Sequence, residues 1–205
     1  MEIKTIKSKF LINSFDQNTY VLTNKKDAVI IDAGAEIEDI IPLVKDKKVL
    51  GIFITHIHFD HIWNLEKYLD EFDCDVYIQP NFEDKFSDNE KNCSVIVRLC
   101  IEKSIRKEKI KYYEKNIELG DFAFEIIDTP GHSADSVCIL YENNLFTGDT
   151  VFEDCIGRTD LYDGNNEKMR ESLKRIKTLK FDTAYPGHYG SVSKKHIDEI
   201  IDFYI

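Results

Sequence analysis

The run Thr55-His-Ile-His-Phe-Asp-His61 constrains this chain more than any other stretch. It places four potential metal ligands, His56, His58, Asp60 and His61, within six residues, directly after the apolar Val49-Leu-Gly-Ile-Phe-Ile54. Side chains at i and i+2 share a face in extended chain but diverge by about 200° on a helix. The pair His56-x-His58 therefore leaves a buried strand in extended form, and Asp60 and His61 fall on a loop entering the next helix. That loop can turn the last pair towards a second ion. Two metal ions held side by side can make hydroxide at neutral pH, since zinc lowers the pKa of its water from about 15.7 to about 7 in the best-known case.

The remaining histidines extend the pattern. Of six in the chain, three lie in this run, and His132 and His188 each follow a Pro-Gly, in Thr129-Pro-Gly-His132 and Tyr185-Pro-Gly-His188. Asp149 sits in Phe146-Thr-Gly-Asp149-Thr150, again just after an apolar strand, where Gly148 permits tight backbone geometry. Each of these groups lies at or just beyond a predicted strand end, the usual place for a site built on loops at one sheet edge. Seven ligands from four chain segments can supply two ions that share one carboxylate. His196, in Ser193-Lys-Lys-His196 on a predicted helix, reads as a surface residue.

Composition bounds the partners. At 205 residues the chain is read as a single domain, 1–205, long enough to bury a full core. A net charge of −11 argues against a nucleic-acid backbone or an anionic membrane as partner. The opening Met1-Glu-Ile-Lys-Thr-Ile-Lys-Ser-Lys9 lacks an apolar core and a small-residue cleavage site, so no signal peptide is expected, and no apolar run approaches a membrane span. The five cysteines are odd in number and include no Cys-x-x-Cys, which fits a reducing cytoplasm better than a disulfide framework. Cys138 reads as a core strand position. Oligomeric state is not readable.

Apolar patterning predicts strands at Phe10–Asn13, Tyr20–Thr23 and Val29–Asp32, with a turn at Asn24–Asp27. Further strands are predicted at Val49–Thr55, Val76–Gln79, Phe122–Asp128, Val137–Glu142, Leu145–Thr147 and Asp182–Tyr185. Helices are predicted over Ile37–Val44, Ile62–Tyr68 and Glu167–Thr178, and from an N-cap at Ser193 through Phe203. The polar stretch 81–116 is given one helix, near Val95–Arg106. This mixed order indicates a layered α/β architecture.

At Asp32, His56-x-His58-x-Asp60-His61, His132, Asp149 and His188 the chain resembles the metallo-β-lactamase fold superfamily, over residues 32 to 188. The resemblance implies a four-layer αββα sandwich, two mixed β-sheets face to face flanked by helices, with the metals at one edge. It implies that His56, His58 and His132 bind one metal, that Asp60, His61 and His188 bind a second, that Asp149 bridges them, and that Asp32 supports the ligands from behind. Ile156-Gly-Arg-Thr-Asp-Leu161, Asn18-Thr-Tyr20 and Asn92-Cys-Ser94 are similar to elements of short bacterial glyoxalase II-like hydrolases. Full-length hydroxyacylglutathione hydrolases carry a further C-terminal helical region, whereas this sequence runs only 17 residues past His188. Ala134-Asp135 also departs from the small residues usual after the His132 motif. Both departures bear on glutathione specificity.

The reading that results is a binuclear metal-dependent hydrolase, a glyoxalase II-like thioesterase acting on a small acyl thioester through metal-bound hydroxide. Its cofactors are two divalent ions, zinc first, with iron or manganese accepting the same imidazole and carboxylate donors. Asp60 would orient the hydroxide, a metal would take up oxyanion charge, and a thiolate of parent pKa near 8.5 would leave with little help from an acid. Arg158 would bind an anionic part of the substrate or brace the metal loop through Asp160, and Tyr189 would contact substrate or pack against the wall. Rival readings are a persulfide dioxygenase using one iron on His56, His132 and Asp149, a lactonase, and a non-catalytic metal-binding module. The complete second ligand set favours the hydrolase.

Overall fold

A computed structural model describes residues 1–8 and 16–205. The chain divides into two compact units, Met1–Tyr112 and Tyr113–Ile205. The first holds strands β1 Glu2–Lys7, β2 Asn18–Thr23, β3 Asp27–Ile31, β4 Lys48–Phe53, β5 Asp75–Ile78 and β6 Ile110–Tyr112, with helices α1 Ile37–Val44 and α2 Leu65–Phe72. The second holds β7 Asn116–Leu119, β8 Phe122–Asp128, β9 Val137–Tyr141, β10 Asn144–Gly148, β11 Thr183–Pro186 and β12 Val192–Ser193, with helices α3 Asn166–Thr178 and α4 Lys194–Tyr204. Each unit builds one mixed sheet, ordered β1-β2-β3-β4-β5-β6 and β12-β11-β10-β9-β8-β7. This is the α/β architecture of two mixed sheets with helices expected of the chain.

In the first sheet β1, β2 and β3 run antiparallel, and β3, β4, β5 and β6 run parallel. The antiparallel start follows from the tight connection at Asn24, whose side-chain oxygen accepts from the Lys26 and Asp27 amides at 2.8 and 2.7 Å. The parallel remainder needs three crossovers, of which α1 and α2 supply the first two and the segment 79–109 the third. Both helices bury a face on the sheet: Ile37, Ile40 and Val44 of α1 and Leu65, Tyr68 and Leu69 of α2 join Val21, Ile30, Ile52 and Val76 in one core. Helix α1 tolerates Pro42, which cannot bond back to the Glu38 carbonyl, because this buried face holds it.

In the second sheet every neighbouring pair is antiparallel except β10 and β11. Strands β8, β10 and β11 therefore point the same way. Helix α3 packs Met169, Leu173 and Ile176 against Cys138, Leu145 and Ala184 of the sheet, beside Ile197 and Ile201 of α4. It is also tied to the segment that leaves β8. The Asn165 amide donates to the Gly131 carbonyl at 2.8 Å, the Ser172 hydroxyl to the Pro130 carbonyl at 2.7 Å, and the Arg175 guanidinium to the Asp128 carbonyl. Ser193 caps α4, its hydroxyl accepting from the His196 amide, as the sequence predicts.

One expectation needs correction and one falls outside the described residues. The predicted strand Phe10–Asn13 lies in the stretch 9–15, which is not described. The described chain opens on β1, an edge strand of largely exposed residues that carries no apolar run to betray it. The helix expected near Val95–Arg106 is absent. A single 3-10 turn, Ser94–Val97, stands there, bounded by left-handed Cys93 (φ +63°) and Arg98 (φ +57°), and 99–106 has no regular structure. Side chains have taken the backbone's partners: Asn89 Oδ1 accepts from the Ile101 amide at 2.6 Å, and Asn92 Nδ2 donates to the Ile101 carbonyl at 2.7 Å. Among the described residues no helix is long and apolar enough to cross a membrane.

Helix α3 starts on Asn165, whose side chain accepts from the Lys168 amide at 2.9 Å. Replacing Asn165 with Ala should lower stability by about 1 kcal/mol, read as a reduced urea midpoint at unchanged slope.

Candidate metal centre

The first unit carries four of the seven candidate ligands. Strands β3 and β4 are parallel neighbours, so their carboxyl ends lie side by side. Asp32 ends β3 and Thr55 follows β4, and the two are bonded: the Thr55 amide donates to Asp32 Oδ1 at 2.8 Å and its hydroxyl to Oδ2 at 2.9 Å. The chain then leaves β4 through His56 and His58 and turns, with the His61 amide donating to the His58 carbonyl at 3.1 Å. His56, His58, Asp60, His61 and Asp32 are all buried, His61 completely.

Within this set each histidine presents one ring nitrogen to a neighbour and the other to its fellow candidates. His61 Nδ1 lies 2.8 Å from Asp32 Oδ2, which turns Nε2 towards Asp60 Oδ2 at 4.0 Å. His56 Nδ1 lies 3.3 Å from the Thr55 hydroxyl, and its Nε2 lies 3.0 Å from His58 Nδ1. His58 Nε2 lies 3.4 Å from Cys93 Sγ. Asp32 therefore sits behind His61. Thr55 and Cys93 are additions. Thr55 was visible only as the residue before the motif, and Cys93 only as part of Asn92-Cys-Ser94.

The second unit carries His132, Asp149 and His188. Strands β8, β10 and β11 share a direction, so the three residues that follow them emerge at one edge of the sheet. The Gly187 amide donates to the Gly148 carbonyl at 2.8 Å, locking the last two exits together. Gly148 has φ +47°, the left-handed conformation expected at the Gly-Asp turn. Gly157 is compulsory for a different reason: a Cβ there would lie 1.8 Å from the Asp149 carbonyl oxygen. His132 Nδ1 lies 2.9 Å from the Arg158 carbonyl oxygen, which leaves Nε2 facing Asp149. Asp149 Oδ2 stands 3.5 Å from His132 Nε2 and 3.4 Å from His188 Nε2, between the two imidazoles.

These spacings test the fit to a metal. Two donors bound tetrahedrally at about 2.0–2.1 Å lie about 3.3–3.4 Å apart. The contacts of Asp149 with His132 and His188 match that edge length, and exceed the usual range of about 2.7–3.2 Å for an N–H···O bond. Buried imidazoles and carboxylates gathered in this way are also the donor chemistry that divalent transition ions take. The residues fit the group.

Arg158 and Tyr189 sit at the rim. The Arg158 guanidinium forms a two-pronged pair with Asp160, at 2.9 Å for each contact, and holds that carboxyl below the usual range. This pairing is the contact that a bracing role for Arg158 would need. Tyr189 is half exposed, and its ring meets Phe152 edge-on at 5.5 Å, while Phe152 meets His188 at 5.9 Å. Cys155 is pushed up to about 11, first by burial and then by Asp154, so it stays a thiol near neutrality. None of the five cysteines forms a disulfide. His196 is half exposed as expected, with Nε2 2.6 Å from the Glu153 carbonyl oxygen.

The sequence pattern of the metallo-beta-lactamase superfamily matches residues 13–188. The chain belongs to this superfamily. It is similar to a probable metallo-hydrolase of Streptococcus pyogenes, 32% identical over 190 residues that cover 88% of this chain and 82% of the relative. Among solved structures it is similar to the BLEG-1 B3 metallo-beta-lactamase, with a TM-score of 0.89, 30% identity and 99% of each chain covered. It is also similar to TTHA1623 in a di-iron-bound form, with a TM-score of 0.80, 25% identity, and coverage of 94% of this chain and 97% of that one.

Asp32→Asn keeps the shape of the residue that holds His61 but removes its charge and one acceptor. It should weaken zinc binding by about 10- to 100-fold in a chelator competition, with the metal-free protein still folded.

Proposed function

We propose that the protein is a binuclear metal-dependent hydrolase of small acyl thioesters. His56, His58 and His132 would hold one ion, Asp60, His61 and His188 the other, and Asp149 both. The observation that carries this reading is the second ligand set. His61 is completely buried and held by the Asp32 carboxylate at 2.8 Å, an investment in a ligand that a one-metal site would not use. Similarity to a protein solved in a di-iron-bound form supports the same reading, and leaves zinc, iron and manganese as the candidate metals.

Two divalent ions, when bound, supply Lewis acidity towards a carbonyl oxygen and acidify water at neutral pH. The chain's own residues do the rest. Asp60 accepts a hydrogen bond from the attacking water and fixes its direction. The water oxygen forms a bond to the thioester carbon, the C–S bond breaks with its electron pair on sulfur, and of the water's two protons one ends on the sulfur and the other passes to solvent, giving a carboxylate and a thiol. A cysteine-like thiol with a pKa of about 8.5 leaves without a dedicated acid. That suits a site whose buried ionisable side chains are spoken for as ligands. Tyr189, beside His188, offers a half-exposed ring to the substrate, and Arg158 keeps the loop beneath it in place through Asp160.

β-Lactam hydrolysis is the second reading, favoured by the similarity to the B3 metallo-beta-lactamase. It expels a nitrogen that needs a proton as it leaves, so it asks more of the site than a thiolate does.

Protein purified without chelator should hold close to two metal equivalents. Asp149→Ala should lower both and His188→Ala mainly one; a single robust equivalent unchanged by excess metal would overturn the binuclear reading. S-Lactoylglutathione or a simpler thioester should release thiol anaerobically and with zinc in place of iron. Oxygen uptake with glutathione persulfide and no thiol release would point to a dioxygenase, and turnover of a chromogenic cephalosporin alone to a lactamase.

A further inference from the structure

Three of the candidate ligands show what holds the back of a metal-binding imidazole in this protein. His61 has Asp32 behind it, His132 has the Arg158 carbonyl, and His56 has the Thr55 hydroxyl. In each case the held atom is Nδ1, which leaves Nε2 as the donor. His58 is reversed. Its Nδ1 is the atom that faces His56 Nε2, at 3.0 Å, so its back is Nε2, and the neighbour of Nε2 is Cys93 Sγ at 3.4 Å.

The setting of Cys93 is built for that contact. The residue is buried and sits at φ +63°, the left-handed region that an L side chain rarely adopts. Its neighbours hold it there: Asn92 Oδ1 accepts from the Ser94 amide at 3.0 Å, and Asn92 Nδ2 donates to the Ile101 carbonyl at 2.7 Å. The same loop is fastened to the ligand motif itself, since the Phe59 amide, next to His58, donates to the Asn92 carbonyl at 2.9 Å. Glycine would take this backbone conformation at no steric cost, yet the chain places a sulfur here.

We infer that Cys93 is a positioning residue for His58: its sulfur accepts a hydrogen bond from Nε2–H and so holds His58 in the tautomer whose Nδ1 is the metal donor. This rests on the reading of His58 as a ligand. Partners of this kind fix both the tautomer and the ring orientation of ligating histidines. Sulfur is a weak, neutral acceptor, so it orients the ring without adding a charge behind the ion.

The test compares wild type, Cys93→Ala and Cys93→Ser, each checked for folding by circular dichroism and thermal melting without metal. Zinc affinity is measured by chelator competition, and the His58 tautomer is read from its ring-nitrogen chemical shifts in metal-free protein. The expected result is a proton on Nε2 in wild type and a mixed tautomer in C93A. C93A should also bind one of its two zinc equivalents about tenfold or more weakly, with C93S falling between. A hydroxyl can replace the acceptor but reaches less far, so C93S also serves if C93A does not fold. A wild-type proton on Nδ1, or variants that keep both the wild-type tautomer and wild-type affinity, would overturn the inference. Should wild type bind no zinc, the functional reading fails by itself, and the tautomer comparison still decides the role of Cys93.

Discussion

The carboxylate of Asp32 is the hinge of the first unit's cluster of candidate ligands. It ends β3, it is buried, and a buried carboxylate must be met by donors on every side. The donors it finds are the amide and hydroxyl of Thr55, at the end of the neighbouring parallel strand, and the ring of His61. One residue thereby joins two strand exits and orients an imidazole six positions further along. Parallel pairing makes this economical, because it brings two carboxyl ends together without any further device. The second unit solves the same problem with β8, β10 and β11, whose common direction delivers His132, Asp149 and His188 to one edge.

The ligand candidates were legible because their chemistry is concentrated and ordered. Histidine is scarce in this chain, and five of its six copies fall after apolar strands or at Pro-Gly turns. The central strands and α1, α3 and α4 were legible for a related reason: their burial is one-sided or complete, and that writes a period into the sequence. Strand β1 wrote none, since its residues are largely exposed on an edge. Strands β6 and β7 are short and mostly exposed, with Ile117 their one buried residue, so no period registers.

The segment 81–116 hid the most. Its apolar residues sit at spacings compatible with a helix, and nothing in a helical period reports that Asn89 and Asn92 will bond to the backbone of Ile101 instead. Such side-chain substitution for a backbone partner depends on residues nine and twelve apart meeting in space, which local pattern cannot show. The contact of Cys93 with His58 belongs to the same class. It joins residues 35 apart, and neither the cysteine nor its left-handed backbone stands out in the sequence. The Arg158 carbonyl behind His132 was equally invisible, because a main-chain oxygen has no residue identity to read.

Helix α3 fastens the Thr129-Pro-Gly-His132 exit at three points, through Asn165, Ser172 and Arg175, each bonded to a main-chain carbonyl between Asp128 and Gly131. A surface helix usually opens more readily than the sheet beneath it. Here such an opening would loosen the backbone that aims His132 while the strands remained intact. The helix thus acts as a splint on a candidate ligand, and the free energy of its local opening sets a ceiling on how faithfully the ring can be presented. Warming should then erode function over a range where the fold as a whole still looks sound.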